Sequence, residues 1–181
     1  SNQARLLKFK DAIERYLHEV TYKSKSLRED SYRLKAMMRH WIGSLKMSEL
    51  NQQNVIKFRD ERLQLVSNGT VIRELAYISS IVNHARREWG LNMTNPIPLV
   101  KKPPSPPGRN RILNSEELER LFQACLPRVK NGNIFILPIV KFALETAMRR
   151  SEILGLTWKC INFDRRIAFL ADTKNGSART V

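Results

Sequence analysis

Thr146-Ala147-Met148-Arg149-Arg150-Ser151-Glu152-Ile153-Leu154-Gly155-Leu156-Thr157-Trp158 places a cation at the start of a short apolar helix. An apolar helix over 133–146 precedes it, so Arg149 follows a tight corner. Ser151, Glu152, Ile153, Leu154 and Leu156 then read as one more helical turn packed back on a core. A guanidinium at such a corner offers a planar fork of donors that fits two phosphate oxygens at once. On its own the Arg149-Arg150 pair reads better as solvated cations favoured by a helix end.

The downstream sequence decides between these readings. Arg166 to Leu170 reads as a strand and Arg179-Thr180-Val181 as its returning partner, with Asn175-Gly176 between them. That dipeptide favours a tight primed turn, whose central residues need positive φ. Lys174 is therefore expected at a hairpin tip, about 25 residues after the arginine. A helix corner followed by a cationic hairpin favours a joint catalytic reading over two unrelated surface charges.

In this order the residues resemble the tyrosine recombinases of the phage integrase family, over nearly the whole length. The family's Thr-Gly-x-Arg-x-x-Glu-Leu motif is similar to Thr146, Arg149, Glu152 and Ile153, with Ala147 where glycine is usual. The family's hairpin lysine falls on Lys174, followed by Arg179-Thr180-Val181. Asn95-Pro96, a basic stretch and Arg111-Ile112-Leu113-Asn114-Ser115-Glu116-Glu117-Leu118 resemble the passage between the family's two domains.

The resemblance implies a mainly α protein. Residues 1–92 would form a four-helix, SAM-like core-binding domain, 93–112 a Pro-rich basic linker, and 113–181 a truncated α+β catalytic domain with a small β-hairpin. It also implies DNA strand exchange through a 3′-phosphotyrosyl linkage, without metal or other cofactor, on double-stranded DNA and in a homo-oligomer, a tetrameric synapse. Arg149 would neutralise the scissile phosphate and Lys174 would hand a proton to the departing 5′ oxygen. Glu152 would hold Arg149 or nearby backbone in place, a role weighed equally against that of a structural carboxylate at a helix N-terminus.

The family's His-x-x-Arg motif and nucleophilic tyrosine lie C-terminal to the hairpin, so the 181 residues alone are expected to be unable to cleave DNA. His84-Ala85-Arg86-Arg87 spells the former on a helix of the other domain and reads as coincidence. Tyr16, Tyr22, Tyr32 and Tyr77 read as core or surface aromatics. The alternative from a different class is a non-catalytic DNA-binding protein derived from a shortened integrase. An RNA-binding reading lacks an aromatic-rich RNA motif.

Charge supports a polyanionic partner. Lys and Arg number 32 against 17 Asp and Glu, a net +15. Residues 1–112 carry 21 of the former and 10 of the latter, so +11 lies in the N-terminal part. No apolar run approaches the roughly 20 residues that cross a bilayer, and the N-terminus is polar, so no membrane partner and a cytoplasmic setting are expected. Cys125 and Cys160 are isolated and read as packed thiols, with no zinc spacing.

Helical periodicity organises the N-terminal part. Leu6, Phe9, Ile13, Tyr16, Leu17 and Val20 share one face over 3–22. A second helix is expected over 28–45, burying Tyr32, Met37, Met38, Trp41 and Leu45. A third runs from a cap near Asn51 to Leu65, with Val55, Phe58 and Leu63 inward. Ser67-Asn68-Gly69 reads as a turn and Thr70 as the N-cap of a fourth helix. That helix carries Val71, Leu75, Ile78, Val82, Ala85 and Trp89 on one stripe, with Arg73, Tyr77 and His84 opposite.

The resemblance implies that the second and fourth helices line the DNA groove, which makes Lys25, Arg33, Thr70, Arg73 and Tyr77 candidate contacts. Lys101, Lys102 and Arg109 among the prolines are candidates for following a phosphate backbone. Asn114 and Glu117 read as a capping box, and Pro138 is expected to delay or kink the helix around it. Helices absent from the second domain would leave apolar surface of that helix and of the hairpin uncovered.

Overall fold

A computed structural model describes residues 4, 6–20, 27–108, 110–127, 132–170 and 178–181. They fall into two compact units that divide between Gly108 and Arg109.

The first unit is helical and has one core. α1 (Phe9–Glu19) buries Phe9, Ala12 and Ile13. Its N-terminus is tied to residues 45–47, because the Phe9 N–H donates to the Leu45 carbonyl at 2.7 Å and the Met47 N–H to the Leu7 carbonyl at 2.9 Å.

The segment expected as one helix over 28–45 is two, α2 (Leu27–Arg39) and a single turn, α3 (Trp41–Ser44). His40 adopts an extended conformation between them, and Gly43 lets the turn fold back on α2. A Cβ on Gly43 would lie 2.4 Å from the Met38 carbonyl oxygen. Tyr32, expected in the core, is 74% exposed, while Leu34 and Met37 are buried. Residues 34 and 37 share a face, and Tyr32 is about 200° of helix away from Leu34.

α4 (Gln52–Leu63) begins at Asn51, whose Oδ1 accepts the Asn54 N–H at 2.9 Å, and it buries Val55 and Phe58. α5 (Asn68–Glu88) buries Val71, Leu75, Ile78, Ile81, Val82 and Ala85. Thr70 is not its N-cap. Ser67 holds that position, and Ser67-Asn68-Gly69 leads straight into the first turn. The first N–H groups of a helix have no intrahelical acceptor, so Asn68 and Gly69 are tolerated there. The Thr70 N–H donates to the Ser67 carbonyl at 2.9 Å and the two hydroxyls lie 3.1 Å apart.

Residues 95–104, part of the stretch read as linker, are held along the first unit. Asn95 is buried. Its Nδ2 donates to Ser79 Oγ (2.8 Å) and Asn83 Oδ1 (3.1 Å), and its Oδ1 accepts the Ile97 N–H (3.0 Å). Ile97 and Val100 enter the core. Gln52 Nε2 then bonds the Leu99 carbonyl at 2.9 Å, Arg59 Nη1 that of Lys101 at 2.8 Å, and Asn68 Nδ2 that of Pro104 at 3.2 Å. A proline-rich chain has few donors but keeps its acceptors, and side chains of α4 and α5 satisfy them.

The second unit starts at the expected capping box. Asn114 Oδ1 accepts the Glu117 N–H at 2.8 Å and Glu117 Oε2 the Asn114 N–H at 3.1 Å, opening α6 (Ser115–Ala124). α7 (Ile136–Thr146) starts three residues later than the expected 133. Pro138 thereby falls in the first turn, where its missing donor costs no hydrogen bond.

After a corner comes α8 (Arg150–Leu154), and then an antiparallel sheet, β1 (Ile161–Asn162), β2 (Ile167–Leu170) and β3 (Arg179–Thr180), in that order. Ile161 pairs with Ala168, and Leu170 with Arg179. β1 is an addition to the expected two-stranded hairpin. The Asn175-Gly176 tip lies outside the described residues.

Candidate functional site

The corner between α7 and α8 is built on a left-handed residue. Ala147 ends α7 at φ 50°, ψ 25°, the conformation in which a helix C-terminus most often carries glycine. Met148 is buried behind it. Arg149, extended at φ −71° and ψ 150°, is the N-cap of α8. The sharp reversal leaves the Arg149 side chain 45% exposed while its backbone is fixed at the helix entrance.

Glu152 fixes that arginine. Its side chain is only 3% exposed, and its carboxylate accepts the Arg149 backbone N–H at 2.9 Å through Oε2 and Arg149 Nη1 at 2.8 Å through Oε1. Arg179 Nη2, reaching from β3, donates to Oε2 at 2.7 Å. The Arg149 backbone donor, followed by the Arg149 and Arg179 side chains, outweighs burial and holds the Glu152 carboxyl at about 2. Two guanidiniums therefore converge on one carboxylate, and the cluster keeps a net positive charge.

Arg179 was not singled out in the sequence. The available signal was register: opposite Leu170, the first residue of the returning strand sits beside the element that follows the corner. Lys174, Lys25 and Arg109 lie outside the described residues.

Of the groove candidates on the first unit, Arg33 and Tyr77 are brought together. Tyr77 Oη donates to Asp30 Oδ1 at 2.5 Å, linking α5 to α2. Burial first, and then the Asp30 carboxylate, push the Tyr77 hydroxyl up in pKa, while a hydrogen bond with Arg33 pulls it down. Thr70, Arg73 and Tyr77 follow steps of three and four on α5, so they share its face. Arg73 is exposed and Thr70 half-buried. Lys101 and Lys102 are exposed on the strap that reaches the first turn of α5 through Pro104.

His84 is a structural residue. Its Nε2 lies 2.9 Å from Glu19 Oε2, and its ring meets Tyr16 and Trp89 edge-on. Trp89 Nε1 donates to the same oxygen at 2.8 Å, Arg15 Nε bonds Oε1 at 2.8 Å, and these three donors, His84 first, hold Glu19 at about 2. Among the described residues no His, Cys, Asp and Glu group could hold a metal ion, and no helix is long and apolar enough to cross a membrane.

In the second unit an apolar groove of about 820 Å³ runs between α7 and the sheet, lined by residues including Pro138, Phe142, Ile153, Trp158 and Phe163. Ile134, Phe135, Ile136 and Leu144 are also exposed. Uncovered apolar surface was expected on this helix, and it is present.

Residues 111–181 match the model of the phage integrase family. The chain is 36% identical over 189 residues to the shufflon-specific DNA recombinase of Escherichia coli, a match covering all of this chain and 48% of that protein. It is 35% identical over 182 residues to a putative integrase/recombinase of Haemophilus influenzae, covering 94% and 48%. The chain thus spans about half the length of these curated relatives. Among solved structures, the Tn1549 transposon integrase bound to circular intermediate DNA superposes with a TM-score of 0.64 at 14% identity, over 97% of this chain and 59% of that one. The same integrase with transposon right end DNA gives a TM-score of 0.66 at the same identity.

Proposed function

The chain belongs to the phage integrase family, the tyrosine recombinases, and on that premise we propose that it forms the DNA-binding part and the leading catalytic part of a site-specific recombinase. The complete protein cuts and rejoins duplex DNA through a 3′-phosphotyrosyl intermediate. The observation that carries this reading is Arg149, a half-exposed guanidinium at a helix entrance, held by the buried Glu152 carboxylate. Such a group is fixed before any phosphate arrives, which is what electrostatic stabilisation of a developing negative charge requires.

The tyrosine oxygen attacks the phosphorus and the bond to the 5′ oxygen breaks. Arg149 stabilises the charge that builds on the phosphate oxygens. Lys174 gives its proton to the departing 5′ oxygen as general acid. The 3′-phosphotyrosyl ester keeps the energy of the phosphodiester, so reversal by another 5′ hydroxyl needs no nucleotide and no metal. The family's nucleophilic tyrosine and His-x-x-Arg lie C-terminal to the hairpin, and the reaction requires both.

The first unit contributes non-specific affinity and register. Lys25, Arg33, Thr70, Arg73 and Tyr77 are the groove contacts proposed, and Lys101, Lys102 and Arg109 the backbone contacts. Strand exchange proceeds in a tetramer on DNA.

The test is a nicked suicide substrate given to the complete protein. A covalent protein–DNA adduct is expected. It disappears in Arg149→Ala, and Lys174→Ala slows its formation roughly 100-fold. An undiminished adduct yield in Arg149→Ala contradicts the proposal.

A further inference from the structure

Glu152 poses an electrostatic problem for any phosphate that approaches Arg149. A carboxylate that holds a guanidinium also neutralises it, and a phosphate must then compete for the same donors. The geometry of the cluster shows how this is avoided. Among the described residues, only one guanidinium nitrogen of Arg149, Nη1, is engaged, on Oε1. The second oxygen, Oε2, is occupied by the Arg149 backbone N–H and by Arg179 Nη2. Glu152 therefore cannot turn both oxygens onto the Arg149 fork. Arg179 also restores the charge: two guanidiniums and one carboxylate leave this trio at +1, where the Arg149–Glu152 pair alone would be neutral. Both arginine side chains stay close to half exposed, 45% and 41%, while the carboxylate between them is shielded.

We propose that Arg179 is a positioning residue of the recombination site, occupying one oxygen of Glu152 and supplying its charge so that the rest of the Arg149 guanidinium stays available to the scissile phosphate. This deepens the function proposed above and rests on it. Arg179 acts through Glu152 and does not itself contact the reacting atoms.

The role makes a distinction that a merely structural role does not. A neutral methylphosphonate at the scissile position asks less of the Arg149 charge than the anionic phosphodiester does. Single-turnover adduct formation by the complete protein is measured on both substrates for wild type, Arg149→Ala, Arg179→Lys and Arg179→Gln. Lysine keeps the charge and glutamine only a donor.

Arg179→Gln is expected to slow reaction of the phosphodiester roughly 100-fold and that of the methylphosphonate far less, with Arg179→Lys close to wild type on both. Arg179→Gln at the wild-type rate, or an equal loss on both substrates, overturns the inference. Should Arg179→Gln alone fail to fold, the comparison moves to the Glu152→Gln background, where no carboxylate competes for Arg149. There the added Arg179→Gln change is expected to cost almost nothing, and a persistent loss overturns the inference. Failure of the parent reading looks different: wild type forms no adduct, or Arg149→Ala forms it undiminished.

Discussion

α5 and α7 are both apolar helices, yet α5 buries six residues and α7 buries none. α5 carries its apolar residues on one stripe, which a single layer of neighbouring helices covers. α7 is apolar around most of its circumference and requires cover on several sides. The described residues leave Ile136, Ile139, Phe142 and Leu144 exposed. The first unit is held by its core. In the second unit Met148, Glu152, Ala168 and Leu170 are the residues buried among those described, and one of the four is a carboxylate that binds two arginines. The lesson is that the corner depends on charge pairing where the first unit depends on packing.

The largest effect should appear when the same substitution is made in both units. Phe58→Ala, at a position 1% exposed, should destabilise the first unit by about 3–5 kcal/mol. Phe142→Ala, at 39% exposure, should change the second by about 1 kcal/mol or less. Urea unfolding followed through Trp41 and Trp89 on one side and Trp158 on the other separates the units. Equal losses would break the comparison.

A smaller effect, of opposite sign, is expected at the corner. Ala147 sits at φ 50°, where an L side chain is strained by roughly 1–2 kcal/mol. Glycine relieves that strain at a backbone-entropy cost of up to about 1 kcal/mol. Ala147→Gly should therefore raise the Trp158 transition by about 1 kcal/mol or less, and a fall would contradict the left-handed assignment.

The smallest effect is a pH dependence confined to the acid range. Glu152 and Glu19 are each held at about 2 against an ordinary 4.5. A carboxyl whose folded pKa is depressed contributes stability that is fully present above its unfolded pKa and lost as pH falls through the folded one. The window is therefore from about 4.5 down to about 2. Glu152→Gln should flatten the acid limb of the Trp158 transition, and Glu19→Gln that of the transition seen by Trp89. An unchanged limb in either variant removes the corresponding assignment.

The core stripe of α5, the Asn51 cap and the Asn114–Glu117 box were legible because each is a local pattern with one physical solution. Thr70 was misread because Ser67 offers a cap three residues earlier and glycine does not prevent a first turn. The break at His40 was hidden, since it depends on how closely Gly43 approaches Met38. Tyr32 was misplaced by half a turn. At the corner, Arg149 and Glu152 were visible in the sequence as neighbours on one helical turn. Arg179 was not, because its contact with Glu152 spans 27 residues and depends on strand register.

In the proposed mechanism Arg149 and Lys174 serve one phosphorus. A structure of the complete protein on its DNA site measures this directly. An Arg149 guanidinium nitrogen and Lys174 Nζ are each expected within about 3 Å of oxygens of the same scissile phosphate. Finding the two side chains on different phosphates, or Arg149 turned wholly onto Glu152 with the scissile phosphate bound elsewhere, would contradict it.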